Sequence, residues 1–171
     1  MYVIGIIGNI LCTQYSRART CGGKRKLDEA DRIVEKTLEI IKYFQRKCYF
    51  IENPRALLVT RPCMQDLDEP LEVHYCMYGF KYRKATHIWT NNEHLVVKKC
   101  NKQCGSFENG RHQARAQRGT YKGGTSSNSL NALYSIPPQL CEAICDACIY
   151  GLNLNGVEET TREGVDMETT S

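Results

Sequence analysis

Two short apolar runs, with a helix-length segment between them, constrain the fold of this chain more than any other feature. The first run, 3–11, is followed by Cys12, and the second, 48–51, is followed by Glu52. Between them, apolar residues recur at helical spacing over 27–44, with charged residues on the opposite side. A strand, a helix and a second strand in this order favour a parallel pair of strands with a crossover connection. Because chemistry collects at the carboxyl ends of strands in open α/β sheets, a thiol and a carboxyl group are predicted at one edge of the sheet.

The remainder of the chain divides into three kinds of segment. The runs 71–77 and 86–90 are predicted to form an antiparallel pair of strands. Segment 91–129 is polar and rich in glycine, lysine and arginine, which predicts an irregular insert. A helix is predicted over 137–150, and the acidic segment 151–171 is predicted to be a disordered tail.

The charge is unevenly distributed. The formal net charge is +4, yet 151–171 holds five acidic residues against one arginine, so residues 1–150 carry all of the basic excess. Such an excess suits a polyanionic partner, although a solvated basic surface has the same composition. No secretory signal and no apolar run long enough to cross a membrane is evident. The cysteines, 10 in 171 residues, are therefore expected to be reduced and the chain intracellular.

Four motifs resemble those of the cytosine-5 DNA methyltransferases, and they occur in that family's order. They are LCTQYSRA at 11–18, FIENPR at 50–55, YCMYGFKYRK at 75–84 and SIPPQLCEAI at 135–144. In the family these positions hold, respectively, the nucleophile loop, the acid motif, a basic side chain near the base and the start of a helix beside the cofactor. The resemblance spans roughly residues 3 to 150. It implies a partial Rossmann-like, S-adenosylmethionine-dependent α/β fold.

The resemblance also implies roles for individual residues. Cys12 would be the nucleophile that attacks carbon 6 of a flipped cytosine, and Glu52 the acid beside ring nitrogen 3. Arg83, or less favourably Lys84, would contact the base or the backbone. The positive charges of Arg17 and Arg19 would favour the Cys12 thiolate. The residues implied for substrate binding are Ser16, Arg17, Asn53 and Pro54, and those for cofactor binding are Pro137 and Pro138.

The chain also departs from the family pattern. Leu11 stands where the family has proline, and Met77 and Ala85 stand where glutamine and proline are more frequent. The family's glycine-rich cofactor turn and its acidic ribose-binding residue have no counterpart before Cys12. The resemblance therefore implies a C-terminal portion of a methyltransferase. Its parts would be a partial catalytic domain (1–90), a target-recognition insert (91–129), a returning helix (130–150) and the tail (151–171).

Double-stranded DNA is the partner that the resemblance implies, with S-adenosylmethionine as methyl donor. The insert could track phosphates with a set of basic residues, which are Lys98, Lys99, Lys102, Arg111, Arg115, Arg118 and Lys122. A second chain could supply the missing N-terminal half, as in a split enzyme. In a eukaryote such a protein would act in the nucleus. The alternative is a catalytically inactive DNA-binding remnant.

Two groups of cysteines raise the question of a metal. Cys100, Cys104 and His112 supply three candidate zinc ligands, one fewer than a structural site needs, so a small zinc-dependent nucleic-acid binder is a third hypothesis. Cys141, Cys145 and Cys148 share one face of the predicted helix, where core packing is the favoured interpretation.

Overall fold

A mixed four-stranded sheet forms the centre of the fold. The computed structural model describes residues 5–9, 12–17, 23–44, 48–116, 120–121, 124–125 and 130–163. The strands of the sheet are β1 (Gly5–Asn9), β2 (Cys48–Pro54), β3 (Leu71–His74) and β4 (Ala85–Thr90). Their spatial order is β1-β2-β4-β3. β1 and β2 are parallel, whereas β4 is antiparallel to both β2 and β3.

Helices and short hairpins complete the described part of the chain. The α-helices are α1 (Leu27–Phe44), α2 (Leu130–Tyr134) and α3 (Pro138–Glu163). Single 3₁₀ turns occupy Leu58–Thr60, Pro62–Met64 and Tyr75–Tyr78. Two hairpins pair β5 (Phe107–Glu108) with β6 (Arg111–His112) and β7 (Thr120–Tyr121) with β8 (Gly124–Thr125). Among the described residues, no helix has the length and apolar character needed to cross a membrane.

The sheet is buried on both faces because side chains alternate along its central strands. On β2, Phe50 packs in the cluster that includes α3, whereas Ile51 packs in the cluster that includes α1. On β4, Ile88 and Trp89 divide in the same way. Helices on both faces of a sheet define an α/β layer architecture, as the sequence predicts.

The strand–helix–strand unit is confirmed, with two differences in detail. α1 has the predicted bounds, and β1 and β2 are parallel. Residues 3, 4, 10 and 11 of the first predicted strand lie outside the described residues. The second strand continues to Pro54, so Glu52 lies within β2 rather than after it. It continues because β4 pairs with it as far as Pro54.

The antiparallel pair is also confirmed, but β3 is shorter than predicted. It ends at His74, and Tyr75–Tyr78 turns as a 3₁₀ helix instead of extending the strand to residue 77. Gly79 closes that turn in the left-handed region, with φ of 92° and its N–H donating to the Tyr75 carbonyl. Glycine meets no Cβ penalty there, so the turn can follow the strand directly.

Of two predictions for the C-terminal region, one is wrong and the other holds only in part. α3 continues through 151–163, which was predicted to be disordered, while 164–171 lie outside the described residues. Extending an existing helix is far easier than starting one, and this favours the longer helix. Core packing of the cysteine face holds only for Cys148, which packs against the cluster that includes α3, whereas Cys141 and Cys145 are exposed. The neighbouring face, Leu140, Ile144 and Ala147, is buried instead, since its side chains bury more apolar surface.

Candidate active site

Cys12 lies in a tight turn three residues after β1. Its carbonyl accepts hydrogen bonds from the N–H groups of Tyr15 (3.1 Å) and Ser16 (2.8 Å), which fold the chain back directly after the strand. The side chain is half-buried. β1 runs parallel to β2 with Asn9 beside Glu52 in register. The turn therefore carries the thiol to the same end of the sheet as the Glu52 carboxyl group.

The nucleophile loop is anchored to α1 by a buried polar cluster. The hydroxyl of Tyr15, which is fully buried, donates to Asp31 Oδ1 at 2.8 Å. Asp31 also accepts from Arg61 Nε, at 2.9 Å to Oδ2. From the other side, Arg25 Nη2 donates to the Ser16 carbonyl at 2.9 Å. These bonds fix the loop conformation and with it the position of Cys12.

Glu52 is buried on β2, with 6% of its surface exposed. The hydroxyl of Tyr75 donates to Glu52 Oε1 at 2.8 Å. Burial raises the pKa of Glu52 above its ordinary value, while the ammonium of Lys84 and the Tyr75 hydrogen bond act in the opposite direction. A raised pKa suits a side chain that is to act as a general acid.

Lys84, and not Arg83, is the basic residue of this group. Its Nζ lies 4.7 Å from the centre of the Tyr75 ring and donates to the Leu133 carbonyl at 3.2 Å. Burial lowers the pKa of Lys84, whereas Glu52 and Cys12 raise it. Arg83 is not among the charges that shift the pKa of Glu52 or of Cys12. The sequence analysis prefers Arg83 over Lys84 for contact with the base or the backbone, and that preference stays a prediction.

The pKa of the Cys12 thiol depends on the same neighbours. Burial raises its pKa, Lys84 lowers it, and a charged Glu52 raises it further. The prediction that Arg17 and Arg19 favour the thiolate is not supported. Arg17 is exposed and is not among the charges that act on Cys12, and Arg19 lies outside the described residues. The cation that acts on the thiol comes from a distant part of the sequence.

Arg83 lines a separate basic pocket. One Nη of Arg83 lies 3.2 Å from His74 Nε2, beside the pocket of about 320 Å³. The other basic side chains that line this pocket are Lys102, Arg111 and Arg115. The pocket thus brings together three of the seven basic residues predicted to track phosphates. Arg118 and Lys122 of that set lie outside the described residues.

The other predicted site residues occupy different environments. Asn53 is fully buried on β2, and Pro54 ends the strand half-buried. Ser16 and Arg17 belong to the nucleophile loop. Of the two prolines predicted to face the cofactor, Pro137 is fully buried and Pro138, the first residue of α3, is exposed. Only Pro138 therefore has surface to offer a ligand.

A cluster of metal-ligating side chains lies beside the 3₁₀ turn Tyr75–Tyr78, which carries one of its members. Cys100, Cys104 and His112 come together as the sequence suggests, and Cys76 joins them. The sequence analysis missed Cys76 because 24 residues separate it from Cys100 in the chain. It also missed Tyr75, Asp31 and Arg61, whose roles depend on contacts between distant segments. Tyr75 and Cys76 fall within the motif at 75–84, but the motif does not indicate these contacts, and none of the four motifs contains Asp31 or Arg61.

Comparisons with known proteins support the resemblance. No protein-family model matches the chain. A protein of Frog virus 3 (isolate Goorha) described as "Probable DNA (cytosine-5)-methyltransferase" is 29% identical over 125 residues, covering 68% of this chain and 56% of that protein. The chain thus spans about half the length of the curated relative that it matches.

A solved structure is a weaker match. It is described as a "putative DNA modification methyltransferase" encoded within an Escherichia coli prophage, with 15% identity and a TM-score of 0.41. The match covers 59% of this chain and 32% of that one, and it is too distant to support an argument. On the sequence match and the motifs together, this chain is similar to a protein described as a probable DNA (cytosine-5)-methyltransferase.

Proposed function

We propose that this chain is the catalytic portion of a DNA cytosine-5 methyltransferase that uses S-adenosylmethionine. One observation carries the proposal. Cys12 follows β1 and Glu52 lies within the neighbouring parallel strand β2; a charged Glu52 raises the pKa of Cys12, and both side chains act electrostatically on Lys84. A thiol, a buried acid and a buried cation in one group are suited to covalent catalysis on a heteroaromatic ring.

The proposed reaction begins with addition of the Cys12 sulfur to carbon 6 of cytosine. Glu52 donates a proton to ring nitrogen 3, so that the electron pair displaced from the ring is retained as an enamine. Carbon 5 of that enamine is then nucleophilic. S-adenosylmethionine supplies the electrophilic methyl group when it is bound. The donor would leave as S-adenosylhomocysteine. Transfer of the carbon 5 proton to solvent, elimination of the Cys12 thiolate and return of the nitrogen 3 proton to Glu52 then restore the aromatic ring and the starting state of both side chains.

The charges around Cys12 explain how the thiolate could form at the moment it is needed. A charged Glu52 raises the pKa of Cys12, but a protonated Glu52 does not, and its raised pKa favours the protonated form. Lys84 remains to lower the pKa of the thiol. A neutral acid, a thiolate and an ammonium are therefore a self-consistent reactive state. Lys84 has the further task of stabilising negative charge that spreads onto the base.

The regions proposed for cofactor and DNA binding are assigned from the motifs and from the basic pocket. We propose that the sheet and its helices are part of a Rossmann-like methyltransferase fold, with Pro138 facing the cofactor at the start of α3. The target base must leave the duplex, since neither ring carbon is accessible while the base is stacked. The basic pocket of Arg83, Lys102, Arg111 and Arg115 would hold phosphates beside the site. We assign 91–129 to target recognition, and we place the protein inside the cell.

Covalent trapping tests the proposal directly. The chain is incubated with S-adenosylmethionine and duplex DNA that contains 5-fluorocytosine, in which fluorine blocks the final elimination. A protein–DNA adduct stable to denaturation is expected for the wild type and for the Cys63→Ser variant. The Cys12→Ser variant should form none. Peptide mapping that places the adduct on another cysteine would contradict the assignment of Cys12.

A second measurement distinguishes a chain that binds S-adenosylmethionine but is inactive from a chain that does not bind it. Titration calorimetry with S-adenosylmethionine should give a dissociation constant in the micromolar range if the pocket is assembled. Binding of the cofactor without any adduct would refute the catalytic proposal. If the cofactor does not bind up to millimolar concentrations, this chain alone is not the enzyme.

The alternative functions are a split enzyme and a non-catalytic DNA-binding module. β1 is an end strand of the sheet among the described strands, so its free edge could accept a strand from a second chain. The basic pocket favours the DNA-binding module, because it needs neither the thiol nor the acid. That module predicts DNA affinity unchanged by Cys12→Ala.

A further inference from the structure

Four side chains from three separate parts of the chain converge on one point. Cys76 belongs to the 3₁₀ turn after β3, Cys100 and Cys104 lie on the loop before β5, and His112 lies on β6. Their sulfur and ring nitrogen atoms all lie within 4.8 Å of one another. We propose that this cluster is a structural zinc site with three thiolate ligands and one imidazole ligand.

The measured separations approach those that a tetrahedral zinc ion requires. With Zn–S bonds of about 2.3 Å and Zn–N bonds of about 2.0 Å, two sulfur ligands lie about 3.8 Å apart, and sulfur and nitrogen about 3.5 Å apart. Cys100 Sγ lies 3.5 Å from Cys104 Sγ and 3.5 Å from His112 Nε2. The complete set therefore needs only small adjustments to close around an ion. Four protein ligands leave no open position, which is the mark of a structural rather than a catalytic site.

The backbone between Cys100 and Cys104 is shaped as a ligand loop. Lys102 takes a positive φ of 72°, rare for a residue with a Cβ, and its N–H points at Cys100 Sγ at 3.3 Å. The hydroxyl of Ser106 lies 3.4 Å from Cys104 Sγ. Hydrogen-bond donors around sulfur stabilise the thiolate form that binds zinc. The unfavourable backbone conformation of Lys102 thus directs its N–H towards a ligand atom.

The hairpin supplies the fourth ligand in a fixed orientation. Asn109 and Gly110 have positive φ values of 50° and 79°, as expected for an Asn-Gly turn that joins two strands through a two-residue loop. The turn pairs Phe107 with His112 across the hairpin, and their rings make an edge contact at 5.1 Å. The His112 ring is therefore held with its Nε2 towards Cys100.

The other interpretations of these cysteines are less favourable. A disulfide between Cys100 and Cys104 would need a sulfur–sulfur distance near 2.05 Å, and it would leave Cys76 and His112 beside it without a role. Simple hydrophobic burial accounts for Cys76 and Cys104, which are buried, but not for the half-exposed Cys100 and His112. A bound zinc accounts for all four.

A zinc ion at this site would connect the segment 100–112 to the group formed by Cys12, Glu52 and Lys84. Cys76 is adjacent to Tyr75, whose hydroxyl holds Glu52. On the other side, Lys102, Arg111 and His112 line the basic pocket with Arg83. Three thiolates and one dication carry a net negative charge, which the surrounding cations complement. Zinc at this point would fix the pocket relative to the acid, although the proposal does not depend on catalysis.

Metal analysis of the untagged chain, expressed with zinc and without added chelator, tests the site. Elemental analysis should find about one zinc per chain. The Cys76→Ser variant should lose most of it, and Cys145→Ser, which changes an exposed cysteine on α3, should retain it. Zinc below about a tenth of an equivalent in the wild type, or equal zinc in the two variants, would overturn the proposal.

Cobalt substitution distinguishes loss of one metal ligand from failure of the variant to fold. Cobalt bound at a tetrahedral site with three sulfur ligands gives intense visible bands and thiolate-to-metal charge-transfer bands. The conservative variant Cys76→His keeps four ligands, so it should still bind cobalt, with weaker charge-transfer absorption. Spectra of octahedral cobalt, or charge-transfer bands unchanged in Cys76→His, would exclude Cys76 as a ligand.

Discussion

At the scale of single residues, the site is defined by which side chains share the space between Cys12 and Glu52. Lys84 enters that space, and Arg83 faces the basic pocket. The two neighbouring basic residues therefore have different surroundings. The assignment of Lys84 has a direct consequence for the reactivity of the thiol.

Replacing Lys84 with methionine should raise the pKa of Cys12, because the ammonium that lowers it is removed. Alkylation of Cys12 by iodoacetamide, followed by mass spectrometry of its peptide across pH, should show a titration midpoint displaced to higher pH. Arg83→Met is the matched control and should leave the midpoint where it is. Equal displacement in both variants would contradict the assignment.

Removing the Tyr75 hydroxyl should raise the pKa of Glu52 still further, because the hydrogen bond that it donates favours the carboxylate. The Tyr75→Phe variant keeps the ring beneath Lys84, and loss of a bond to a charged group costs about 1.5–3 kcal/mol of stability at neutral pH. Below the pKa of Glu52 the acid is neutral in both proteins, so the difference in stability should shrink as the pH falls.

Carbon-13 NMR of the glutamate carboxyl groups, with Glu52→Gln to assign the signal, follows this titration. The Tyr82→Phe variant is the control, since the Tyr82 hydroxyl donates to the Ala132 carbonyl and not to Glu52. A Glu52 midpoint that stays constant or falls in Tyr75→Phe would show that the hydrogen bond does not set the pKa.

At the scale of secondary-structure elements, α1 both covers the sheet and holds the nucleophile loop. Val34 and Ala30 pack under the sheet, while Asp31, on the adjoining side of the helix, binds Tyr15 and Arg61. A carboxylate of low exposure with several donors contributes through charge-assisted hydrogen bonds. The position of Cys12 therefore depends on the first turns of a helix that begins 15 residues later in the chain.

Replacing Asp31 with asparagine should lower the free energy of unfolding by about 1.5–3 kcal/mol, since two charge-assisted partners are weakened. Urea denaturation monitored by circular dichroism measures the difference. Asp28→Asn is a control on the same helix, because the Asp28 side chain is 97% exposed and lies 3.8 Å from Arg61. Its effect should stay within about 0.5 kcal/mol. A loss in Asp28→Asn as large as that in Asp31→Asn would mean that burial of the cluster is unimportant.

At the scale of the whole molecule, the chain combines an α/β sheet with a basic, weakly structured region. The basic pocket lies beside the loop that carries the proposed zinc ligands. Several positive charges that line one pocket attract a polyanion to that part of the surface. Binding to DNA should therefore depend on a small number of identifiable residues.

Changing Arg111 and Arg115 together to alanine should weaken binding to duplex DNA and reduce its dependence on salt. Each phosphate contact that is lost should lower the slope of log K against log salt by about 0.9. Fluorescence anisotropy with a labelled duplex at several salt concentrations measures both quantities. Lys36→Ala, an exposed change on α1, should leave the slope unaltered. An unaltered slope in the double variant would remove these arginines from the DNA interface.

The sequence alone determined the elements that depend on local pattern. The apolar period of α1, the alternation of β2 and β4 and the Asn-Gly turn of the β5–β6 hairpin are each encoded by neighbouring residues. Cys12 and Glu52 were predicted as nucleophile and acid in the same way, because each follows an apolar run. Local pattern did not distinguish two neighbouring faces of α3. The buried face holds Leu140, Ile144 and Ala147, and the cysteine face is offset from it by one residue.

Tertiary structure alone decided which distant side chains meet. Lys84 joined Cys12 and Glu52, Cys76 joined three ligands from the loop, and Asp31 joined Tyr15. These contacts are set by strand register and by the point at which β3 gives way to a 3₁₀ turn, and a shift of one residue would reverse every side chain on a strand. The sequence shows which residues have side chains suited to catalysis or to metal binding. Which of these side chains contact one another is decided only when the sheet forms and brings distant segments together.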